Sequence, residues 1–235
     1  MATTVDGFIR LFNNKIEAPV QRHLKNVYSC LAISTLAAAA GGYVHIFTDI
    51  LRGNFLTSLV ALGLMVALDI IPYDGGKNNS LRLGLLTAFS FATGLGLGPL
   101  LDVAIVVNPA IIPTAFLTTC LIFVCFTLCA LYSDQYKWIG LGGTLMSGLL
   151  LTLLLGFATI FTGSRFLFQI YIYLGLAVMC AFILYDTQVV VEKFRRGEED
   201  FIWHSVLFFI DFVDVFRFLV VILMDKEQSS RRKKD

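Results

Sequence analysis

An all-α polytopic membrane fold with seven transmembrane helices is what this sequence predicts, from three observations: its composition, the spacing of its charges, and the distribution of Lys and Arg between connections. Of its 235 residues, 57% are hydrophobic and only 15% charged, with a mean hydropathy of +0.78. Soluble chains average roughly 25% charged residues, so this chain carries more apolar surface than a soluble domain of its size can hide. The net charge of +1 and the pI near 7.6 exert no overall pull toward nucleic acid, and no nucleic-acid partner is expected. Membrane lipid is.

Charges cut the chain into spans. Residues 26–48, between Lys25 and Asp49, contain no Asp, Glu, Lys or Arg, enough for one helix across a hydrocarbon layer of roughly 30 Å. The next uncharged runs are 53–68, 83–101, 103–133 and 138–164. The second is short, so it is expected to borrow Ile70 and Ile71 by burying or snorkelling Asp69, or to tilt less than its neighbours. Asn108, Pro109 and Pro113 put the start of the fourth helix at about residue 110, because proline is tolerated in a first turn and not mid-helix. A sixth span runs from about Phe166 to Val191 and a seventh from about Phe201 to Met224. The domain reading is a cytosolic segment 1–25 with no cleavable signal pattern, a membrane domain 26–224 and a basic tail 225–235. Cys30, Cys120, Cys125, Cys129 and Cys180 all lie inside apolar runs. They read as small buried hydrophobes, not as a disulfide framework or a zinc site.

Cytoplasmic connections retain positive charge. Arg10, Lys15, Arg22, Lys25, Lys77, Arg82, Lys137, Lys193, Arg195 and Arg196 fall on one side, and Arg52 and Arg165 on the other. This asymmetry places the N-terminus in the cytosol. The tail, with Lys226, Arg231, Arg232, Lys233 and Lys234, breaks the pattern if the seventh segment crosses fully. Either that segment is re-entrant, or seven crossings leave a basic tail outside. The tail reads as solvated or in contact with lipid headgroups. Asn78-Asn79-Ser80 is a formal glycosylation sequon that this orientation leaves unused in the cytosol.

Small residues recur every four positions, as Gly84, Ala88, Ala92 and Gly96 on the third span and Gly140, Thr144, Gly148, Thr152 and Gly156 on the fifth. In lipid, this spacing lets helix backbones approach closely, and Gly84, Gly96, Gly140 and Gly148 are the expected packing positions. The run Thr93-Gly94-Leu95-Gly96-Leu97-Gly98-Pro99 has the glycine density of a phosphate-binding loop but lacks the preceding strand, and it lies inside an apolar span.

The residues that point to chemistry are acids within the last two spans, because an aspartate at the centre of a membrane helix costs roughly 2.5–3.5 kcal/mol on insertion scales. By helical rise, Asp186 lies on the order of 12 Å below the cytosolic surface and Asp211 roughly 15 Å. The short connection Arg195-Arg196-Gly197-Glu198-Glu199-Asp200 makes the two helices antiparallel neighbours, so the carboxylates can face one another. Two carboxylates in a poorly hydrated site cannot both ionise cheaply, and their protons belong to the pair. The pair can share a proton or bind a cation. Calcium takes six to eight oxygens and two aspartates supply at most four, so Asp186 and Asp211 would make a weak calcium site at which a proton competes. The alternative is neutralisation by arginine. Arg217 stands three positions after Asp214 and can close on that acid as a secondary charge pair, but it lies about 24 Å from the cytosolic end, too deep to serve Asp186.

The stretches Gly94 to Pro99, Asn108-Pro109 through Pro113-Thr114-Ala115-Phe116, Tyr185-Asp186-Thr187-Gln188 and Phe209-Ile210-Asp211-Phe212 resemble the hallmarks of the Bax inhibitor family, the transmembrane Bax-inhibitor-motif proteins. The likeness covers almost the whole chain, including His23-Leu24-Lys25 and the basic tail. It implies an endoplasmic-reticulum protein with a central seventh helix surrounded by six others, one that leaks calcium from the lumen and suppresses cell death. It also implies that Asp186 and Asp211 are the di-aspartyl pH sensor, with anti-apoptotic Bcl-family proteins and the stress-sensor kinase of the unfolded-protein response as partners. The transported ion is Ca2+, in competition or exchange with H+, and no resident cofactor is expected. The basic latch residue that bacterial relatives carry on the second helix has no counterpart among residues 53–68.

Other function classes fit less well. An intramembrane aspartyl protease needs Gly-x-Gly-Asp where Phe209 and Ile210 precede Asp211. A zinc hydrolase needs clustered ligands, yet His23 and His204 lie toward the cytosol and His45 at the opposite end of the first span. A seven-helix receptor would have its N-terminus outside. An enzyme is therefore not expected, and the alternative to a leak channel is a non-conducting scaffold that binds cell-death and stress-sensor proteins.

Overall fold

In the computed structural model, the described residues are 17–48, 51–134 and 137–232. They form seven α-helices and one 3-10 turn, with no strand among them. The helices are α1 (Ala18–Phe47), α2 (Phe55–Ile70), α3 (Asn79–Val107), α4 (Ile111–Tyr132), α5 (Gly142–Thr162), α6 (Arg165–Arg195) and α7 (Phe201–Arg232), and the turn is Ile139–Leu141. Of the cations counted for orientation, Arg10, Lys15, Lys233 and Lys234 lie outside the described residues, as do residues 1–16 of the N-terminal segment.

Local signals explain most helix ends. Pro19 sits in the first turn of α1, where a missing N–H costs nothing, so the helix begins at Ala18, ahead of the apolar run. Asn54 caps α2 through a capping box: its side chain accepts from Thr57 N at 3.1 Å while its own N–H donates to Thr57 Oγ1 at 3.1 Å. That helix runs through Asp69 to Ile70 with Asp69 exposed, so it takes in Ile70 but not Ile71 and leaves the acid unburied. Asn108 Oδ1 accepts from Ala110 N at 3.0 Å, and α4 starts at Ile111 with Pro113 in its first turn. Gly163, at φ +61°, ends α5, a backbone conformation favouring glycine.

The five helices α1, α3, α4, α5 (counted with its leading 3-10 turn) and α6 are long and apolar enough to cross a membrane. At 16 residues, α2 is shorter. The most buried helix is α7, packing against α1, α3, α4 and α6, while α2 lies on α3 and α5 on α6. The ring of six around a central helix is thus four close neighbours with two outriders. Phe208, Phe209 and Phe212 of α7 meet Phe123 of α4 and Phe89 of α3 at ring-centroid distances of 5.6–5.9 Å, within the favoured range for aromatic pairs.

The unbroken α7 spans about 48 Å. Its start meets Arg82, near the end of the bundle where Arg195 bonds Glu17, and Arg231 in its last turn donates to Val107 O at the far end. A hairpin return within this segment has no counterpart among the described residues. The helix also runs on to Arg232, through most of what reads from sequence as a separate tail.

The closest approaches fall at glycines other than Gly84, Gly96, Gly140 and Gly148, the four singled out by spacing. A Cβ on Gly94 would lie 2.0 Å from Ala38 O, and one on Gly98 would lie 2.2 Å from the His45 ring, so the glycine-rich run is where α3 meets α1. Pro99 cannot donate to Leu95 O, and Gly53 fits against that carbonyl so closely that a Cβ there would stand 1.8 Å from it. Gly96 faces Ser58 and Gly148 faces Val178. Gly84 and Gly140 have nothing within 4 Å of a built Cβ, so they pack no helix, because a spacing of four selects a face without saying what that face meets. A second correction concerns cysteine: Cys30 and Cys180 are buried, but Cys125 and Cys129 are exposed on the outer face of α4, where an apolar side chain meets lipid at no cost.

Candidate functional site

The turn between α6 and α7 sets the site. Gly197 adopts φ +96°, its N–H donates to Phe194 O at 3.0 Å, and Glu198 N donates to Lys193 O at 3.0 Å. This paired arrangement is a Schellman motif that reverses the chain within a few residues. Asp200 then caps α7, with Oδ1 accepting from Trp203 N at 3.0 Å and its carbonyl accepting from His204 N at 3.1 Å. Lower down, Gly175 lets α6 come against Phe218 of α7, so near that a Cβ would be 2.3 Å from the ring.

Between these two fixings, the carboxyls of Asp186 and Asp211 face one another across the hairpin, each acting on the other. Asp211 is buried, Asp186 half-buried, and Asp211 Oδ2 accepts from no donor. A hydrogen bond between two carboxyls requires a proton on one of them. The other charged groups acting on the pair are Lys193 near Asp186 and Asp214 near Asp211. Arg217 Nη1 bonds Asp214 Oδ1 at 3.2 Å. A cavity of about 850 Å³ opens between α2, α3, α5, α6 and α7, lined by Phe209, Ile210 and Val213 on either side of Asp211 and by Asp214 and Arg217. The arrangement can hold a proton between oxygens or release it and offer oxygens to a hard cation, whose remaining ligands would be water or carbonyls.

The rest of the Tyr185–Gln188 stretch serves the frame. Gln188 Nε2 donates to Ser133 Oγ at 2.9 Å and Asp134 O at 3.0 Å, while its Oε1 accepts from Trp138 N at 2.8 Å. One amide thus ties the α4–α5 connection to α6.

Three polar contacts escape a sequence reading. Arg82, counted there as a loop cation, is 2% exposed; its Nη1 donates to Leu68 O at 3.3 Å and to Ile71 O, and its Nη2 bonds Asp200 Oδ2. His23 Nε2 and His204 Nδ1 are 2.9 Å apart, with Phe194 stacked on His23 at 4.3 Å. At the other end, His45 Nε2 lies 3.0 Å from Asp102 Oδ2, while its Nδ1 accepts from Gly53 N at 2.6 Å. The placement of His23 and His204 toward one end was the only available signal for their pairing. Partners 181 and 118 residues apart leave no mark on local pattern.

Residues 20–228 match the family model described as inhibitor of apoptosis-promoting Bax1. The protein named Bax inhibitor 1 of Bos taurus is 47% identical over 229 residues, covering 97% of each chain. That of Homo sapiens is 46% identical, covering 93% of this chain and 92% of its own. The Bax inhibitor 1 of Arabidopsis thaliana is 39% identical, covering 91% of this chain and 86% of its own.

Proposed function

The chain belongs to the Bax inhibitor family, and from that premise we propose that it is a pH-sensitive calcium leak channel, or calcium/proton exchanger, of the endoplasmic reticulum membrane. In this reading, it suppresses apoptosis and modulates ER stress. One observation carries the ion-handling part: Asp186 and Asp211 face one another inside the bundle near a cavity, each acting on the other, with no described Lys or Arg bonded to either. A buried pair of this kind is satisfied by a proton or by a cation, so the two compete, and cation occupancy falls as proton concentration rises. The cavity is lined by Phe209, Ile210 and Val213 on either side of Asp211 and by Asp214 and Arg217, so it lies next to the pair rather than around it. The N-terminus is cytosolic on the ten-to-two asymmetry of Lys and Arg between the two sets of connections.

The name carried by the relatives supports a role in cell death, and contacts with anti-apoptotic Bcl-family proteins and with the ER stress-sensor kinase are the partners that fit it. A non-conducting scaffold would serve those contacts equally well. Purified full-length protein in calcium-loaded liposomes separates the two readings. A leak gives flux that depends on pH, whereas a scaffold gives none at any pH. Asp211→Asn keeps the shape and removes one ionisable group, so flux changes and its pH response is blunted. An unchanged pH profile in both Asp186→Asn and Asp211→Asn removes the sensor assignment.

A further inference from the structure

Asp200, His204 and Asp211 are separated by four and seven residues, which at 100° per residue puts all three within about 40° on one stripe of α7. Each reaches a different neighbouring helix: Asp200 bonds Arg82 of α3, His204 bonds His23 of α1, and Asp211 faces Asp186 of α6. Arg82 is the anchor of this stripe. Its guanidinium holds two carbonyls in the last turn of α2, where a cation complements the negative end of the helix dipole. The same group holds the carboxylate that caps α7. The Asp200 carboxylate is divided between duties, one oxygen capping its own helix and the other taking Arg82.

We propose that Arg82, acting through Asp200, is a positioning residue for the acid pair: it sets the depth and rotation at which α7 enters the bundle and so the register of Asp211 against Asp186. This inference rests on the reading of that pair as the pH-sensitive site. Asp211 lies eleven residues below Asp200, about 16 Å along a rigid helix, so a shift or turn at the cap arrives at the acid undiminished. The groups surrounding the anchor are Lys193, Glu198, Glu199, His23 and His204, and those around the acid pair are Lys193, Asp214 and Arg217. None of these is altered in the test variants below, but Asp200 itself acts on His23 and His204, so Asp200→Asn is read beside Arg82→Gln, which keeps that carboxylate.

The experiment compares full-length Asp200→Asn, Arg82→Gln and Arg82→Lys with the parent in calcium-loaded liposomes over a range of pH. Asparagine caps a helix as well as aspartate, so Asp200→Asn keeps the start of α7 and turns an amide donor, in place of the carboxylate, toward Arg82. Asp200→Asn and Arg82→Gln move the pH midpoint of flux by about one unit, a tenfold change in proton concentration, while Arg82→Lys restores most of the parent profile. If Arg82→Gln does not fold, Asp200→Asn decides. A folded Asp200→Asn protein whose pH profile superimposes on the parent overturns the proposal. Should the parent conduct nothing, the leak reading fails, and the anchor is read separately from Trp203 emission in a Trp138→Phe background. Asp211→Asn then shifts that emission with Asp200 intact and not in Asp200→Asn if the anchor couples the two. Any other pattern overturns it.

Discussion

At the Glu17 end of the bundle, Arg82 meets Asp200 and His23 meets His204 inside packed helices. At the Arg165 end, Arg165 with Asp225 and His45 with Asp102 each leave one partner more than half exposed, at 52% and 56%. The residue types are much the same and the consequences differ. A buried charge stripped of its partner has no solvent to turn to, so breaking such a pair is costly, whereas an exposed pair exchanges its partner for water and is screened by salt. The Glu17 end therefore holds buried contacts that tolerate little change beside exposed pairs such as Arg195 with Glu17, whereas the pairs named at the Arg165 end can be lost singly. The two ends are joined along the α1–α3 seam at Gly94 and Gly98.

The largest expected effect tests the first half of this contrast. Arg82→Met leaves Asp200 and two carbonyls of α2 unmatched, and should cost about 3–5 kcal/mol in detergent-solubilised full-length protein, with little dependence on ionic strength. A thermal unfolding series at low and high salt measures it. Next is the seam. Gly94→Ala drives a methyl group toward the Ala38 backbone, which cannot rotate away, and should cost about 1–3 kcal/mol by the same measurement. Smaller again, Arg165→Ala removes a half-exposed pair and should cost about 0–1 kcal/mol, vanishing at high salt. If it equals Arg82→Met in size, the two ends are not different in kind. Gly84→Ala, whose added methyl meets nothing, has the opposite sign and a similarly small size: replacing a mid-helix glycine there should stabilise by roughly 0.5–1 kcal/mol.

The helices were legible because charges and prolines mark where lipid-compatible runs begin and end, and Asn108, Pro113 and Gly163 act where such residues act in any helix. The facing of Asp186 and Asp211 was legible because both stand at similar depth on either side of one short turn. Arg82 was not. Its position after Asn78 reads as the edge of a loop, and only the fold supplies Leu68, Ile71 and Asp200 to enclose it. His23 and His204 could be assigned to an end of the bundle but not to each other. The glycine stripes were legible only in part for a related reason: period identifies a smooth face, and whether a position on it looks at a neighbour, as Gly148 and Gly156 do, or at nothing, as Gly84 and Gly140 do, is a property of helix rotation. The same limit applies to Cys125 and Cys129, whose apolar run says lipid-compatible but not interior.

Three bonds leaving one edge of α7 for three separate helices make that segment behave as a key cut along a single side. A twist about its own axis would lift every tooth from its ward in the same movement, and because the teeth are unevenly spaced, a slide of one full turn would seat none of them again. Such a rod has one engaged setting, and leaving it means letting go of α1, α3 and α6 together.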